Sequence, residues 1–361
     1  MKIVTIVGAR PQFIKAAPVS CQLRKNHTEV LIHTGQHYDD EMSKVFFEEL
    51  DLPRPDYNLG IGSASHGRQT GRMLEEIEKV LLCESPDIVL VYGDTNSTLA
   101  GALAAAKLNI PVGHVEAGLR SFDRRMPEEI NRILSDCISS MLFAPTKTAV
   151  DNLKREGIVE GVYLTGDVMY DAVLRNVERA REKSDILSRL RLKEKEYLLL
   201  TIHRASNTDN IQNLSAIVTA LLEIEEQVVF PAHPRTVKHL SEYGLLERLE
   251  RSSNCKVLAP VGYLDFIVLE ENAKKILTDS GGMQKEAYFF KVPCITLREN
   301  TEWVETVEDG WNVLVGTDKE LIVRRARDFS PDKARREVFG DGRASEKIVE
   351  KITQDSKVFS K

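Results

Sequence analysis

Short apolar runs recur along the chain at Ile3–Val7, Val30–Ile32, Ile88–Tyr92, Val112–Val115, Met141–Ala144 and Val162–Thr165. Between them lie longer stretches with helical periodicity, such as Ser43–Leu50 and Arg68–Leu82. Short apolar runs alternating with helical periods predict βαβ units and a parallel sheet. After the charged stretch Arg175–Lys195 the pattern restarts, with runs at Tyr197–Thr201, Gln227–Phe230, Lys256–Leu258, Lys275–Thr278 and Cys294–Thr296. The expectation is an α/β chain of two parallel-sheet domains, residues 1–168 and 169–341. The Glu/Lys/Arg-rich helix after Gly166–Tyr170, with little apolar surface, reads as the connector.

Composition narrows the function classes. A chain of 361 residues exceeds what one core ordinarily supports, which agrees with two domains. A net charge of −6 argues against nucleic acid or an anionic membrane as the main partner, because both reward a basic surface. The first apolar run is followed by Arg10 and Lys15, so it is neither a signal-peptide core nor a membrane span. Five scattered cysteines without C-x-x-C spacing predict neither a disulfide framework nor a zinc site, and point to the reducing cytoplasm.

Ligands of open α/β sheets bind beyond the carboxyl ends of strands, so the residues after each run carry the interest. Gly8-Ala9-Arg10-Pro11-Gln12 follows the first run, with Lys15 on the helix that Pro11 can start. Helix amides and two cations there suit a phosphate or a substrate carboxylate, and equally a plain βα turn with solvated cations. Asp94 ends the next such run, as an acid or as a helix cap. Glu116 brings a second carboxylate in Gly113-His114-Val115-Glu116-Ala117-Gly118-Leu119-Arg120. Glu128, beside Pro127 and Glu129, is a third, although acids in a first helical turn and a Glu128–Arg132 surface pair are ordinary features. Converging carboxylates can have separated proton affinities, so that one takes a proton while another donates.

In the second half, Thr201-Ile202-His203-Arg204, Pro231-Ala232-His233-Pro234-Arg235 and Thr278-Asp279-Ser280-Gly281-Gly282 end three strands. Ser280, Gly281 and Gly282 can present amides to a diphosphate at the start of the helix Met283–Phe290, and Glu286 can accept from ribose hydroxyls. A cation such as His203 or His233 beside a diphosphate stabilises it as a leaving group. Tyr263 and Phe266 read either as core or as a stacking surface for a base. No P-loop, dinucleotide fingerprint, nucleophile elbow or metal-ligand cluster is present, so no metal or cofactor is expected.

Laid out in order, Gly8-Ala9-Arg10-Pro11, Thr34-Gly35-Gln36-His37, Gly93-Asp94-Thr95, Gly113 to Arg120, Pro127-Glu128-Glu129 and Asp279-Ser280-Gly281-Gly282 resemble the non-hydrolysing UDP-N-acetylglucosamine 2-epimerase family over almost the full chain. The resemblance implies two Rossmann-like domains in glycosyltransferase-B arrangement, with a C-terminal helix, about residues 342–361, returning to the first. It implies interconversion of UDP-GlcNAc and UDP-ManNAc by elimination and re-addition of UDP through a 2-acetamidoglucal, a role in cell-surface polysaccharide synthesis, and a homodimer. It further implies that Asp94, Glu116 and Glu128 are the acid/base set, that His203 assists the diphosphate, and that Arg10, Phe266, Ser280, Gly281 and Glu286 hold UDP. Lys15, Arg132, His233 and Gly282 join them as candidate binding residues. Gln36, His37, Arg68 and Gln69 resemble segments that form a second, activating UDP-GlcNAc site. Gly8-Ala9-Arg10-Pro11-Gln12-Phe13-Ile14-Lys15, Gln284-Lys285-Glu286 and Thr301-Glu302-Trp303 look more like the branch acting on UDP-2,3-diacetamido-2,3-dideoxyglucuronate, for whose extra carboxylate Arg124 and Arg125 are candidates, or else plain solvated loop residues. A glycosyltransferase, a hydrolysing epimerase and a non-catalytic UDP-sugar sensor are the rival functions.

Overall fold

The computed structural model describes residues 1–35 and 52–359, with side chains to residue 355. Its residues fall into two compact units, Met1–Arg175 with Glu337–Lys361, and Asn176–Arg336. The N-terminal unit is built on seven parallel strands in the order β3-β2-β1-β4-β5-β6-β7. They are β1 (Lys2–Val7), β2 (Thr28–His33), β3 (Tyr57–Asn58), β4 (Ile88–Tyr92), β5 (Val112–Val115), β6 (Met141–Ala144) and β7 (Val162–Leu164). The C-terminal unit repeats the plan with six parallel strands, β10-β9-β8-β11-β12-β13. These are β8 (Tyr197–Thr201), β9 (Gln227–Pro231), β10 (Cys255–Leu258), β11 (Lys275–Thr278), β12 (Cys294–Thr296) and β13 (Asn312–Leu314).

Each apolar run of the sequence is thus a strand, and central strands such as β4 and β8 are buried at every position. That is why they read as unbroken runs: helices cover both faces of a parallel sheet. Two strands escape the pattern, β3 and β13, which are two and three residues long. The predicted helix Ser43–Leu50 lies outside the described residues. The connector helix, Val168–Lys183, is less polar in place than in sequence, with Val168, Met169, Ala172 and Val173 buried.

Helix–sheet contact in the N-terminal unit is close because the covering helix Asn96–Lys107 is rich in alanine and glycine. Its Ala102 and Ala105 pack with Ile6, Val89, Val91, Met73 and Ile77 in one core. The C-terminal core gathers Leu198, Leu200, Phe230, Leu277 and Ile295 of the sheet with Ile217, Leu221 and Ile322 of its helices. The final helix, Ala344–Phe359, belongs to the N-terminal unit, and Asp171 caps it by accepting from Ala344 N at 3.1 Å, Ser345 N at 2.8 Å and Ser345 Oγ at 2.7 Å.

In both sheets the strand order reverses once, at β1/β4 and at β8/β11. Connections on opposite sides of such a point leave their loops apart, which opens a crevice at the carboxyl ends of those strands.

Candidate active site

The N-terminal unit places three charged clusters on adjacent strand ends, after β1, β4 and β5. Beyond β1 the chain turns through Gly8, where a side chain would collide with Thr34 Oγ1 and Ser97 Oγ. Arg10 begins the helix Arg10–Leu23, and Lys15, one turn further, forms a partly buried ion pair with Glu116. Glu116 lies just beyond β5 with φ 74°, a left-handed conformation uncommon for any residue but glycine and found where surrounding contacts impose it. Here its own amide and that of Ala117 both donate to Phe143 O, each at 3.1 Å.

After β4, Gly93 turns with φ 64° and delivers Asp94. The helix cap is Thr95, whose hydroxyl accepts from Thr98 N, so the Asp94 carboxylate is left to other work. Its Oδ2 accepts from Arg132 Nη2 at 2.5 Å, and its carbonyl accepts from Asn131 Nδ2 at 2.9 Å. Arg132 also donates to Glu129 at 2.9 Å. Glu128 sits partly exposed in the first turn of the helix Pro127–Ile138. Its neighbour Glu129 is buried and organises the preceding loop, accepting from Ser121 N, Ser121 Oγ and Phe122 N at 2.8–2.9 Å.

Several residues of this cluster have no signal in a strand-end survey. Asn131 and Asp136 lie with Glu129 and Arg132 on the buried side of one helix, whereas its Ile130 and Leu134 are exposed. Asp136 accepts from Gly118 N at 3.1 Å and from Arg120 Nη1 at 2.7 Å, and Arg120 reaches Glu156 at 2.6 Å. Burial alone would push the Asp136 carboxyl up, but the charges and hydrogen bonds of His114 and Arg120 outweigh it and hold it below the usual carboxylate range.

The C-terminal unit repeats the arrangement on the ends of β9, β8 and β11. Asp279, fully buried after β11, accepts from His203 N at 3.1 Å, Arg204 N at 3.1 Å and Asn207 Nδ2 at 3.0 Å, and His203 Nδ1 stands 3.7 Å from its Oδ1. One carboxylate therefore fixes the segment that presents His203, whose ring is 43% exposed. Ser280 is the N-cap of the helix Gly281–Phe289, and Ser280, Gly281 and Gly282 are partly exposed. Glu286 is buried one turn in. His233 caps the helix Pro234–Glu242, its Nδ1 accepting from Arg235 N at 3.2 Å. Tyr263 is buried in the core, while Phe266 on the same helix is partly exposed. The structure thus separates two aromatics that the sequence presents as equivalent.

Of the residues resembling an activating site, Gln36 and His37 lie outside the described residues. Arg68 is exposed, and Gln69 is engaged internally, donating to Gly62 O at 3.1 Å and accepting from Asn96 at 2.8 Å. Of the positions that suggest a uronate substrate, Gln12, Lys285 and Trp303 are buried. Gln12 accepts from Gly8 N and Ala9 N at 2.8 and 3.0 Å and donates to Tyr92 O and Thr98 Oγ1 at 2.8 and 3.1 Å. Lys285 is buried with its ammonium 4.1 Å above the ring of Trp303, itself buried. No group of three or more His, Cys, Asp or Glu side chains that could hold a metal ion occurs among the described residues.

A family model described as UDP-N-acetylglucosamine 2-epimerase matches residues 20–353. The chain is 60% identical to a UDP-N-acetylglucosamine 2-epimerase homolog of Methanococcus maripaludis, covering 97% of this chain and 99% of that one. It is 50% identical to the UDP-2,3-diacetamido-2,3-dideoxy-D-glucuronate 2-epimerase of Pseudomonas aeruginosa, covering 98% and 100%. The crystal structure of Methanocaldococcus jannaschii UDP-GlcNAc 2-epimerase in complex with UDP-GlcNAc and UDP superposes with a TM-score of 0.92 at 52% identity, covering 98% of this chain and 100% of that one.

Proposed function

The chain belongs to the UDP-N-acetylglucosamine 2-epimerase family and is an isomerase of the non-hydrolysing type, and from that premise we propose that it interconverts UDP-GlcNAc and UDP-ManNAc at the residues described above. The observation that carries the assignment of residues is the pair of carboxylates Asp94 and Glu116 on neighbouring strand ends, each bonded to a cation, Arg132 and Lys15. Inversion at C2 requires a proton to leave one face of the carbon and return to the other, which two separately held carboxyl groups can do. Glu128, on the helix that also carries Arg132, completes the acid/base set.

The C2 hydrogen is not acidic enough to leave unaided. Its removal by a carboxylate is coupled to breaking the C1–O bond: the C2–H electrons form the C1=C2 double bond of a 2-acetamidoglucal, and the C1–O electrons depart with the β-phosphate oxygen of UDP. Re-addition reverses both bonds with the proton returned to the opposite face. The departing diphosphate gains charge as the bond breaks, and the Ser280-Gly281-Gly282 amides, His203 and Arg10 are suited to stabilise it. Phe266 stacks the base and Glu286 binds the ribose, with Gly282, His233, Lys15 and Arg132 as further substrate contacts. No residue of this scheme needs a metal or a redox cofactor.

A second reading, a UDP-diacetamido-glucuronate substrate, is favoured by the Pseudomonas relative at 50% identity. Gln12 is taken up by its hydrogen bonds to Gly8, Ala9, Tyr92 and Thr98, whereas Trp303 Nε1 lies 3.4 Å from a side chain built on Gly281 of the proposed diphosphate turn. Incubation of both UDP-sugars with the protein in deuterated water separates the readings. We expect C2 deuterium and UDP-ManNAc from UDP-GlcNAc; exchange with the uronate alone moves the substrate, and exchange with neither removes the epimerase assignment.

We further propose a homodimer working in the cytoplasm. Free thiols at all five cysteines suit a reducing compartment, and the exposed Ile130, Leu134 and Leu82 offer apolar surface for a second copy. Sedimentation velocity giving only a monomer refutes the dimer. No described helix is long and apolar enough to cross a membrane. The activating site at Gln36, His37, Arg68 and Gln69 remains part of the proposal, tested by whether UDP-GlcNAc accelerates the reverse reaction in wild type and not in Arg68→Ala.

A further inference from the structure

His114, in β5, is fully buried, and both of its ring nitrogens stand 2.7 Å from oxygens: Nδ1 from Asp136 Oδ1, Nε2 from the carbonyl of Gly93. A backbone carbonyl only accepts, so Nε2 carries a hydrogen. Asp136 is engaged as an ionised carboxylate, its Oδ2 accepting from Gly118 N and from the Arg120 guanidinium. A guanidinium on Oδ2 and a carboxyl held below its usual range both favour the ionised form, in which Oδ1 accepts as well. A neutral imidazole has one N–H and cannot satisfy two acceptors. We infer that His114 is held as a buried imidazolium, and that this cation is a positioning residue for the two carboxylates Asp94 and Glu116.

The surrounding charges agree. The groups nearest the ring through this network are Asp136, then Arg120 and Glu156 behind it, and the Lys15–Glu116 pair on the far side of Gly93. These five carry one more negative charge than positive, and a cationic ring balances them at the fully buried His114–Asp136 contact.

The ring's contacts reach both catalytic turns. Gly93 directly precedes Asp94, its amide donates to Val115 O at 3.0 Å, and a side chain built on it would meet Glu116 Oε2 at 3.2 Å and Lys15 Nζ at 3.3 Å. The hydrogen bond from His114 thus fixes the peptide on which Asp94 is aimed and against which the Glu116 carboxylate rests. Through Asp136 the same ring is tied to Gly118, two residues beyond Glu116 in its left-handed conformation. Displacing a reacting group by about 1 Å can cost about a hundredfold in rate.

The positioning role rests on the epimerase reading; the charge of the ring does not. Full-length protein labelled with ¹⁵N-histidine is examined by long-range proton–nitrogen correlation at about pH 8, above the ordinary histidine value of roughly 6.5. The His114 signal, identified by its loss in His114→Gln, is expected to show both nitrogens protonated; one bare nitrogen overturns the imidazolium. His114→Gln, which can donate to one acceptor but not both, is expected to lower kcat about a hundredfold while KM and UDP affinity change by less than about threefold. An unchanged kcat, or a loss of UDP affinity as large as the loss of kcat, overturns the positioning role. If the wild type turns over neither UDP-sugar, the functional reading fails while the spectrum still decides the ring.

Discussion

At position 12 the side chain accepts through one atom and donates through another, which an amide does and a carboxylate does not. Its oxygen takes the amides of Gly8 and Ala9, and its nitrogen gives to Tyr92 O and Thr98 Oγ1, so it ties the turn after β1 to the end of β4. A carboxylate would face the Tyr92 carbonyl instead of donating to it. Gln12→Glu is expected to lower stability by about 1–3 kcal/mol, read by urea denaturation, while leaving the ratio of activities on UDP-GlcNAc and its diacetamido uronate analogue unchanged; a shifted ratio would make Gln12 a substrate reader. Asp94 and Glu116 are expected to behave differently. Asp94→Asn and Glu116→Gln keep a hydrogen-bonding partner for Arg132 and Lys15 but lose the basic oxygen, so C2 exchange should fall by about 10²–10⁴-fold with UDP affinity retained. Full exchange activity in both variants would place the acid/base chemistry elsewhere.

The helix Pro127–Ile138 shows where reading by element succeeds and where it stops. Strands were legible because burial on both faces leaves an unbroken apolar run, and the acids stood out because they follow those runs. This helix obeys the opposite rule: Glu129, Asn131, Arg132 and Asp136 face inward and Ile130 and Leu134 face out. Amphipathic patterning assumes that apolar side chains drive the burial, and here hydrogen bonds to Asp94, Gly118, Ser121 and His114 replace that force. Periodicity cannot signal an inverted helix, so Asp136 and Asn131 carry no signal, and Arg132 reads from its spacing as half of a surface pair although the family resemblance makes it a candidate binding residue. Strands β3 and β13 escape for a simpler reason: each is short and carries an asparagine, Asn58 or Asn312, which breaks the apolar run that marks the equally short β7 and β12. The element's dependence on charge is measurable. With its carboxyl held below the ordinary value, Asp136 contributes stability that is present above about pH 4, the unfolded-state value. That stability is lost as pH falls from there through the lower folded value. Asp136→Asn is expected to cost about 3–5 kcal/mol near neutrality, and the difference from wild type to shrink below about pH 4 in urea titrations followed by circular dichroism. A difference independent of pH would show that the ionised form is not what stabilises this helix.

For the whole molecule, every proposed UDP-holding residue except Arg10 lies in the C-terminal unit, and that unit carries its own reporters. Both tryptophans, Trp303 and Trp311, lie within Asn176–Arg336, as do the two buried thiols, Cys255 and Cys294. Burial pushes the Cys255 thiol up to about 11 and the Cys294 thiol up to about 12, so neither offers a thiolate to an alkylating reagent until the unit opens. Cys21, Cys83 and Cys137 are exposed and belong to the N-terminal unit, so mass spectrometry distinguishes native labelling from opening. A ligand bound only by the folded form stabilises it by about 2.7 kcal/mol at a hundred times its Kd. For a unit of this size that is a rise of about 5–10 °C in the tryptophan-detected midpoint, with a matching delay in labelling of Cys255 and Cys294. UDP at that concentration is expected to produce both effects, and Glu286→Gln to reduce them by weakening the hold on the ribose. If UDP leaves the tryptophan transition and the two thiols where they were, the nucleotide does not bind the Ser280-Gly281-Gly282 turn and its neighbours, and the assignment of leaving-group stabilisation to the C-terminal unit falls with it.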